Sequence, residues 1–245
     1  MSEWQRPASV PFPSIWRKFE GKNMVDGKKR QYWVQDLTDD LLEPAIDYMC
    51  TGFMEDEAIC KYNKYIEDPN AIEIARQYWK NQAQQKLCLI CLTKNDLGRT
   101  EIAAVNMTYR SYENEPDEES KIKNHKIDTL TEMIKYIYTK VDVYKTLNIE
   151  DQLTAWGLYV VPKYRRDGVG VEMLKSREAL CRAVGIPATL TLFTSLTSQA
   201  VAKKSGFTEL VDVTHDELEK VNPDFVPPGI REAAKSMKYM YIVYN

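Results

Sequence analysis

Histidine is scarce in this chain. Only His125 and His215 occur among 245 residues, far apart in sequence. Zinc sites are built from clustered imidazole and thiolate ligands, and two distant histidines offer no such cluster, so no metal site is expected. The cysteines do not change that expectation. Cys50, Cys60, Cys88, Cys91 and Cys181 are an odd set, expected to be free thiols of a reducing compartment. Cys88 and Cys91 have C-x-x-C spacing, but they fall in an apolar stretch that reads as a strand. Residues three apart on a strand point to opposite faces, which places them poorly for a shared metal. Long apolar runs are missing too, and none reaches the roughly 18 residues of a membrane span. A strong charge imbalance is also absent. The net charge is −3, which argues against a general nucleic-acid binder. The opening segment, Met1 to Pro7, lacks the basic-then-apolar layout of a secretory signal. A cytoplasmic protein is therefore expected, with neither nucleic acid nor membrane as partner.

What is present suits one large α/β domain over residues 1–245. Hydrophobic residues make up 44% of the chain, enough for a substantial core. Residues 1–22, with Pro7, Pro11 and Pro13 among Trp4, Phe12, Trp16 and Phe19, read as an irregular arm packing its aromatics on the domain. Strands are expected at Gln31–Thr38, Lys86–Thr93, Glu101–Arg110, Leu153–Val161, Ala188–Phe193, Phe207–Val213 and Met237–Tyr244. Helices are expected at Leu41–Phe53, Ala71–Gln85, from Ile122 to Val141, at Val169–Val184 and at Gln199–Ser205. Ser111–Ser120 and the proline-rich stretch around Pro223–Gly229 read as loops. Residues 111–150 thus form a long helical insertion before the fourth strand. The order β-α-α-β-β-α-β-α-β-α-β-β describes a mixed sheet of about seven strands with helices on both faces.

The most informative segment is the end of the fourth strand together with the turn after it. Leu158, Tyr159 and Val160 lead through Pro162 into a basic turn, Arg165-Arg166-Asp167-Gly168-Val169-Gly170, and a helix starts at once. Alternation puts Trp156, Leu158 and Val160 on one strand face and Tyr159 on the other. Helix N-termini leave backbone N–H groups unpaired and carry a positive partial charge. Glycines let an anion approach that backbone closely. The result is a pyrophosphate cradle, with Arg165 and Arg166 adding charge. A dinucleotide fingerprint would need a third glycine and a triphosphate loop a Gly-Lys-Ser/Thr ending; both are absent.

Arg165-x-x-Gly168-x-Gly170 after such a strand resembles the acetyl-CoA loop of the GNAT superfamily of N-acetyltransferases. Lys203-Lys204-Ser205-Gly206-Phe207 resembles the K-x-G-F ending of that family's helix before the sixth strand. The similarity runs from about Tyr32 to Tyr244 and is clearest over residues 153–207. More narrowly, the chain looks like the insect arylalkylamine N-acetyltransferases and their paralogues. Their F-x-x-D-E-P segment is matched by Phe53-Met54-Glu55-Asp56-Glu57-Ala58. Their two hydroxyl residues four apart after the fifth strand are matched by Thr194 and Ser198. Ala58 replaces the usual proline and Thr194 the frequent serine, departures that bear on the amine pocket more than on the chemistry.

The resemblance implies a mostly antiparallel GNAT sheet, acetyl-CoA as acyl donor and a small primary amine as acceptor. Dopamine, serotonin, tryptamine and octopamine are the types implied. It implies Glu57 as general base and the backbone from Leu158 to Val160, with Arg165 to Gly170, as the CoA site. Thr194 and Ser198 join the catalytic set. Ser198 is either the proton donor to the departing CoA thiolate or the N-cap of the short helix after it. Glu55 and Asp56 add negative charge that would attract a cationic amine. Arg177, Arg182, Lys203 and Lys204 are candidates for the 3′-phosphate or adenine of CoA, and otherwise a solvated face. Transfer is expected to be direct, in a ternary complex, because no cysteine or serine beside a histidine is evident. Three other readings stay open: a polyamine, agmatine or long-chain acyl paralogue, a protein-lysine acetyltransferase, and a non-catalytic acyl-CoA-binding module.

Overall fold

The computed structural model describes residues 4–25, 27–113, 115 and 123–244. Its strands are β1 (Ile15–Val25), β2 (Lys28–Asp36), β3 (Leu89–Lys94), β4 (Thr100–Tyr112), β5 (Asp151–Val160), β6 (Ala188–Phe193), β7 (Thr208–Thr214) and β8 (Ser236–Val243). They form one sheet in the order β1-β2-β3-β4-β5-β6-β8-β7. Every neighbouring pair is antiparallel except β5 with β6. Burial follows the pattern expected of position in the sheet. Leu89 to Thr93 of the central β3 are all buried, whereas the C-terminal half of β2 alternates buried and half-buried side chains.

The helices are α1 (Asp39–Tyr48), α2 (Met54–Asp56), α3 (Ala58–Tyr62), α4 (Pro69–Ala83), α5 (His125–Tyr138), α6 (Val143–Leu147), α7 (Val169–Val184), α8 (Leu196–Lys204) and α9 (His215–Val221). Local chemistry sets their starts. Asp68 accepts the N–H groups of Asn70 and Ala71, with Pro69 in the first turn of α4. Asn124 caps α5 and Asp142 caps α6 through the same kind of side-chain acceptor. The sheet carries helices on both faces. On one, α1 and α4 cover β4 and β5; on the other lies α7. No helix among the described residues is long and apolar enough to cross a membrane.

Several expectations need correction. Residues 15–22 are not irregular but belong to β1, an edge strand whose charged residues hid it. Its pairing with β2 is broken by an irregularity between Glu20 and Met24. The preceding residues are fastened by Arg6. Its guanidinium donates to both carboxylate oxygens of the fully buried Asp36, at 3.0 and 2.8 Å, and stacks over Phe12 and Trp16. The helix expected to reach Phe53 is an α-helix only to Tyr48. It continues as a π-helical turn, Met49–Phe53, and then α2. The insertion holds two helices rather than one, because α5 ends at Tyr138 and Asp142 restarts the chain as α6. The expected loop at Ser111–Ser120 begins inside β4. Asn114 and residues 116–122, including Ile122, lie outside the described residues. The stretch between the last two strands contains α9, capped by Thr214.

Candidate active site

β5 and β6 run side by side in parallel, yet they pair at a single position, Leu153 with Thr189. Beyond it the two strands separate, and the sheet opens into a fork. Burial records the opening. Leu153 and Thr154 are buried, whereas Ala155 to Leu158 and Val160, in the middle of the sheet, are only half-buried. The N–H of Val161 donates to Ala103 of β4 at 2.9 Å. Peptide directions alternate along a strand, so the N–H groups of Leu158 and Val160 face away from β4, into the fork.

A β-bulge sets this register. Asn106 pairs with Leu158 but Thr108 pairs with Ala155, so Trp156 and Gly157 together oppose Met107. Gly157 takes φ +111°, and a β-carbon there would sit 2.5 Å from the Met49 methyl. The bulge overturns the expected strand faces. Trp156 packs on Tyr78 of α4, ring centroids 4.5 Å apart and planes tilted by 44°, on the same side as Tyr159, which packs near Tyr48 of α1. Leu158 and Val160 face α7 and α8 instead. The carbonyls of the bulge are not left bare. Trp79 Nε1 donates to Trp156 at 2.8 Å and Asn106 Nδ2 to Gly157 at 2.7 Å.

At the end of β5 the chain makes the phosphate-type turn. Arg166 and Gly168 both adopt left-handed conformations, with φ of 61° and 92°. Gly168 is the N-cap of α7, and no side chain caps that end, so its first N–H groups stay available to an anion. Val169 buries its side chain and Gly170 touches Val160 and Val201 at ordinary van der Waals distance from where a β-carbon would be. The Asp167 side chain points into the protein. Oδ1 accepts the Asn23 N–H at 2.6 Å and Oδ2 the Tyr32 hydroxyl at 2.7 Å. Burial first, and the Asp167 carboxylate second, push the Tyr32 phenol well above its usual range. Asp167 thus bolts the turn to the β1–β2 hairpin. That hairpin lays the Lys22 side chain over Gly168, a cation beside the turn that sequence reading did not find.

Arg165 turns toward the other side of the fork. Its Nε donates to the Val160 carbonyl at 2.9 Å, its guanidinium lies over the Tyr159 ring, and it forms an ion pair with Asp56. The next residue, Glu57, caps α3: its Oε2 accepts the Cys60 N–H at 2.9 Å. Its Oε1 accepts a 2.5 Å hydrogen bond from Thr194, the first residue after β6. The acidic segment therefore spans the mouth of the fork, holding the end of one arm through Asp56 and the end of the other through Glu57.

Residues 137–207 match the acetyltransferase (GNAT) family. A mosquito protein matches over the whole chain. It carries the provisional designation arylalkylamine N-acetyltransferase 7 of the yellow fever mosquito Aedes aegypti. It is 32% identical over 99% of this chain and 100% of its own, with a TM-score of 0.91. The chain belongs to the GNAT family of acetyltransferases. The fold is shared at greater distance by arylalkylamine N-acetyltransferase 2 of Aedes aegypti, 18% identical over 87% and 99% of the two chains with a TM-score of 0.72. It is shared as well by a Drosophila melanogaster polyamine N-acetyltransferase that forms N-acetylagmatine, 15% identical over 86% and 99%, with a TM-score of 0.65. No curated protein sequence matches. GNAT enzymes use acetyl-CoA as donor.

The second hydroxyl residue, Ser198, is differently placed from Thr194. Ser195, not Ser198, caps the helix, and α8 starts at Leu196. Ser195 Oγ accepts the Ser198 N–H, while Ser198 Oγ accepts the Ser195 N–H and donates to the Ser195 carbonyl at 3.0 Å. This capping box engages the Ser198 hydroxyl on its own turn. Arg177 does not reach the surface at all. It is 0% exposed, so it cannot meet the 3′-phosphate or adenine. Arg182 pairs with Glu178 one turn away. Two polar residues beneath the fork carried a signal of burial that sequence reading missed. Asn106 is a polar residue inside the apolar run Ile102–Met107, and Arg177 stands on the same helical face as Met173, Leu180 and Val184. A polar group on a core face signals a built-in partner.

Proposed function

We propose that this protein transfers the acetyl group of acetyl-CoA directly to a small primary amine of the arylalkylamine type, with Glu57 as general base. The observation that carries this reading is the Glu57 carboxylate held by Thr194 across the mouth of the fork. An alkylamine with a pKa near 10.4 is about 99.9% protonated at pH 7 and cannot attack a thioester in that form. Glu57 would take the proton, and the amine lone pair would then add to the thioester carbon. The N–H groups of Leu158 and Val160 face the fork and suit the oxyanion of the tetrahedral intermediate. Collapse breaks the C–S bond and releases CoA as a thiolate. The second proton of the amine nitrogen leaves as the intermediate collapses and passes to the sulfur, giving neutral amide and CoA thiol; Ser198 can relay it only by giving up its bond to Ser195. An acyl-enzyme has no support, since all five cysteines are buried, and burial pushes the Cys60 thiol, the one nearest Glu57, upward.

The pyrophosphate of CoA is assigned to the backbone of Gly168, Val169 and Gly170, with Arg166 and Lys22 supplying charge and Tyr159 flanking the strand. Arg165 would serve it only after leaving Asp56. Tyr48 and Tyr159 pack together with ring centroids 6.3 Å apart, and Tyr159 lies under the Arg165 that pairs with Asp56, the residue before Glu57; that aromatic surface favours an aryl group over a polycation. The acidic trio is also less available than its sequence suggests, because Asp56 is already neutralised by Arg165.

The test is thiol release from acetyl-CoA across arylalkylamines, agmatine and putrescine, and histone peptides, beside Glu57→Gln. Turnover with arylalkylamines that falls about 10²–10⁴-fold in the variant supports substrate class and base together. Turnover confined to polyamines overturns the substrate class. Unchanged turnover in Glu57→Gln removes the base assignment. Silence with every amine, while CoA still binds, points to a longer acyl donor or a non-catalytic acyl-CoA module.

A further inference from the structure

Arg177 is fully buried among polar groups that are themselves buried, and the acceptors that meet its guanidinium are neutral. Burial lowers its pKa to about 10, which leaves it charged at neutral pH. A naked cation in a core is costly unless its hydrogen bonds serve in place of a counter-ion. Here they do, and they are not scattered. Nε and Nη2 donate to Oδ1 of Asn106 at 3.1 and 2.9 Å. Nη1 donates to the hydroxyls of Thr189 and Thr191 at 3.1 and 2.8 Å.

Both sets of acceptors pass the restraint on to the fork. With its oxygen held by the guanidinium, Asn106 must present Nδ2 to the bulge, where it binds the Gly157 carbonyl at 2.7 Å. Thr189, with its oxygen likewise engaged, donates to the Leu153 carbonyl at 2.8 Å. Leu153 and Thr189 are the one paired position of β5 and β6, the point from which the arms diverge. One planar group therefore braces the apex of the fork and the bulge that turns Leu158 and Val160 toward it. Arginine's rigid fan of donors suits this duty, which a single ammonium could not fulfil.

We propose that Arg177 is a positioning residue for the acyl donor: through Asn106 and Thr189 it fixes the backbone N–H groups that receive the thioester arm of acetyl-CoA. The inference rests on acetyl-CoA lying in the fork, but not on the identity of the amine or on Glu57.

The test uses two variants and two ligands that need no amine. Asn106→Asp keeps, and strengthens, the partner of Arg177 while replacing the donor to Gly157 with an acceptor. Arg177→Lys keeps the charge but loses the fan. Each is titrated calorimetrically with acetyl-CoA and with adenosine 3′,5′-bisphosphate, a fragment without the thioester arm. Positioning predicts that acetyl-CoA binding weakens about tenfold or more in both variants, while the fragment binds within about twofold of the parent. The amide resonances of Leu158 and Val160 shift in the same variants. Equal weakening of both ligands, unchanged affinity for both, or failure of both variants to fold would assign Arg177 a purely structural role and overturn the proposal. An absence of enzymatic turnover in the parent would overturn the amine assignment and leave these titrations unaffected.

Discussion

Thr194 donates a 2.5 Å hydrogen bond to Oε1 of Glu57, a residue 137 positions earlier in the chain. The other carboxylate oxygen is taken by the Cys60 N–H, so the group is held at both ends. Thr194→Val preserves the shape of the side chain and removes the donor. A hydrogen bond to a charged group is worth about 1.5–3 kcal/mol. The expected outcome is a fall in kcat of about tenfold to a hundredfold, with near-parental kcat in Thr194→Ser. Steady-state kinetics with saturating acetyl-CoA measures it. An unchanged kcat in Thr194→Val would remove Thr194 from the site.

Tyr32 and Asp167 make a buried pair that ties the phosphate-type turn to the β1–β2 hairpin. Tyr32→Phe leaves the carboxylate with one donor fewer in a site closed to water. A loss of about 1.5–3 kcal/mol is expected from urea unfolding. Because Asp167 immediately precedes Gly168, KM for acetyl-CoA is expected to rise as well, with KM for the amine unchanged.

Gly157→Ala is expected to be among the most damaging single-methyl additions in the chain. Its φ of +111° disfavours any side chain, and the new carbon would lie 2.5 Å from the Met49 methyl and 2.9 Å from the Phe53 ring. Overpacking and backbone strain together cost about 2–5 kcal/mol. Thermal unfolding of the variant would show it; a melting temperature equal to the parent's would mean that the π-helical turn yields freely.

Asp68, Glu101, Asp142, Asp216 and Glu217 are all held below the ordinary carboxylate range, and Glu101 is the most strongly shifted. Glu101 accepts from Lys163, Tyr164 and Asn95, bonds that hold its carboxyl down to about 2, Lys163 first. A carboxyl depressed on folding stabilises the native state above its unfolded pKa, near 4.3. That stability is lost as pH falls from there through about 2. Glu101→Gln should flatten the stability-against-pH curve over this window and leave its neutral-to-basic limb in place. Chemical denaturation at several pH values tests it.

The strand–turn–helix around Gly168 was readable because the constraint is local. A left-handed glycine, an uncapped helix start and an apolar strand all act within a few residues of sequence. The capping box of α8 was partly readable for the same reason: the sequence marks Ser198 as a candidate cap, and the cap is Ser195 three residues earlier. β1 was not readable. Its residues alternate poorly, and the pairing with β2 is interrupted, so only the neighbouring strand makes it a strand. The bulge at Trp156–Gly157 was hidden as well, since a period-two pattern carries no mark of an inserted residue, and it reversed the side assigned to Trp156.

By itself, then, the sequence determined the class of fold, the order of most of its elements and the anion-binding turn, because apolar period, caps and glycines are short-range physics. It also placed Glu57 and Thr194 among the candidates, through resemblance. Only the tertiary structure decided that these two touch, that Arg165 meets Asp56, that Asp167 faces inward, and that Arg177 lies buried at the apex of the fork rather than on the surface. Those outcomes depend on where strands β5 and β6 part and on what packs beneath them. Contacts between residues far apart in the chain are selected by packing and by the need to satisfy every buried polar group, and no local pattern encodes them.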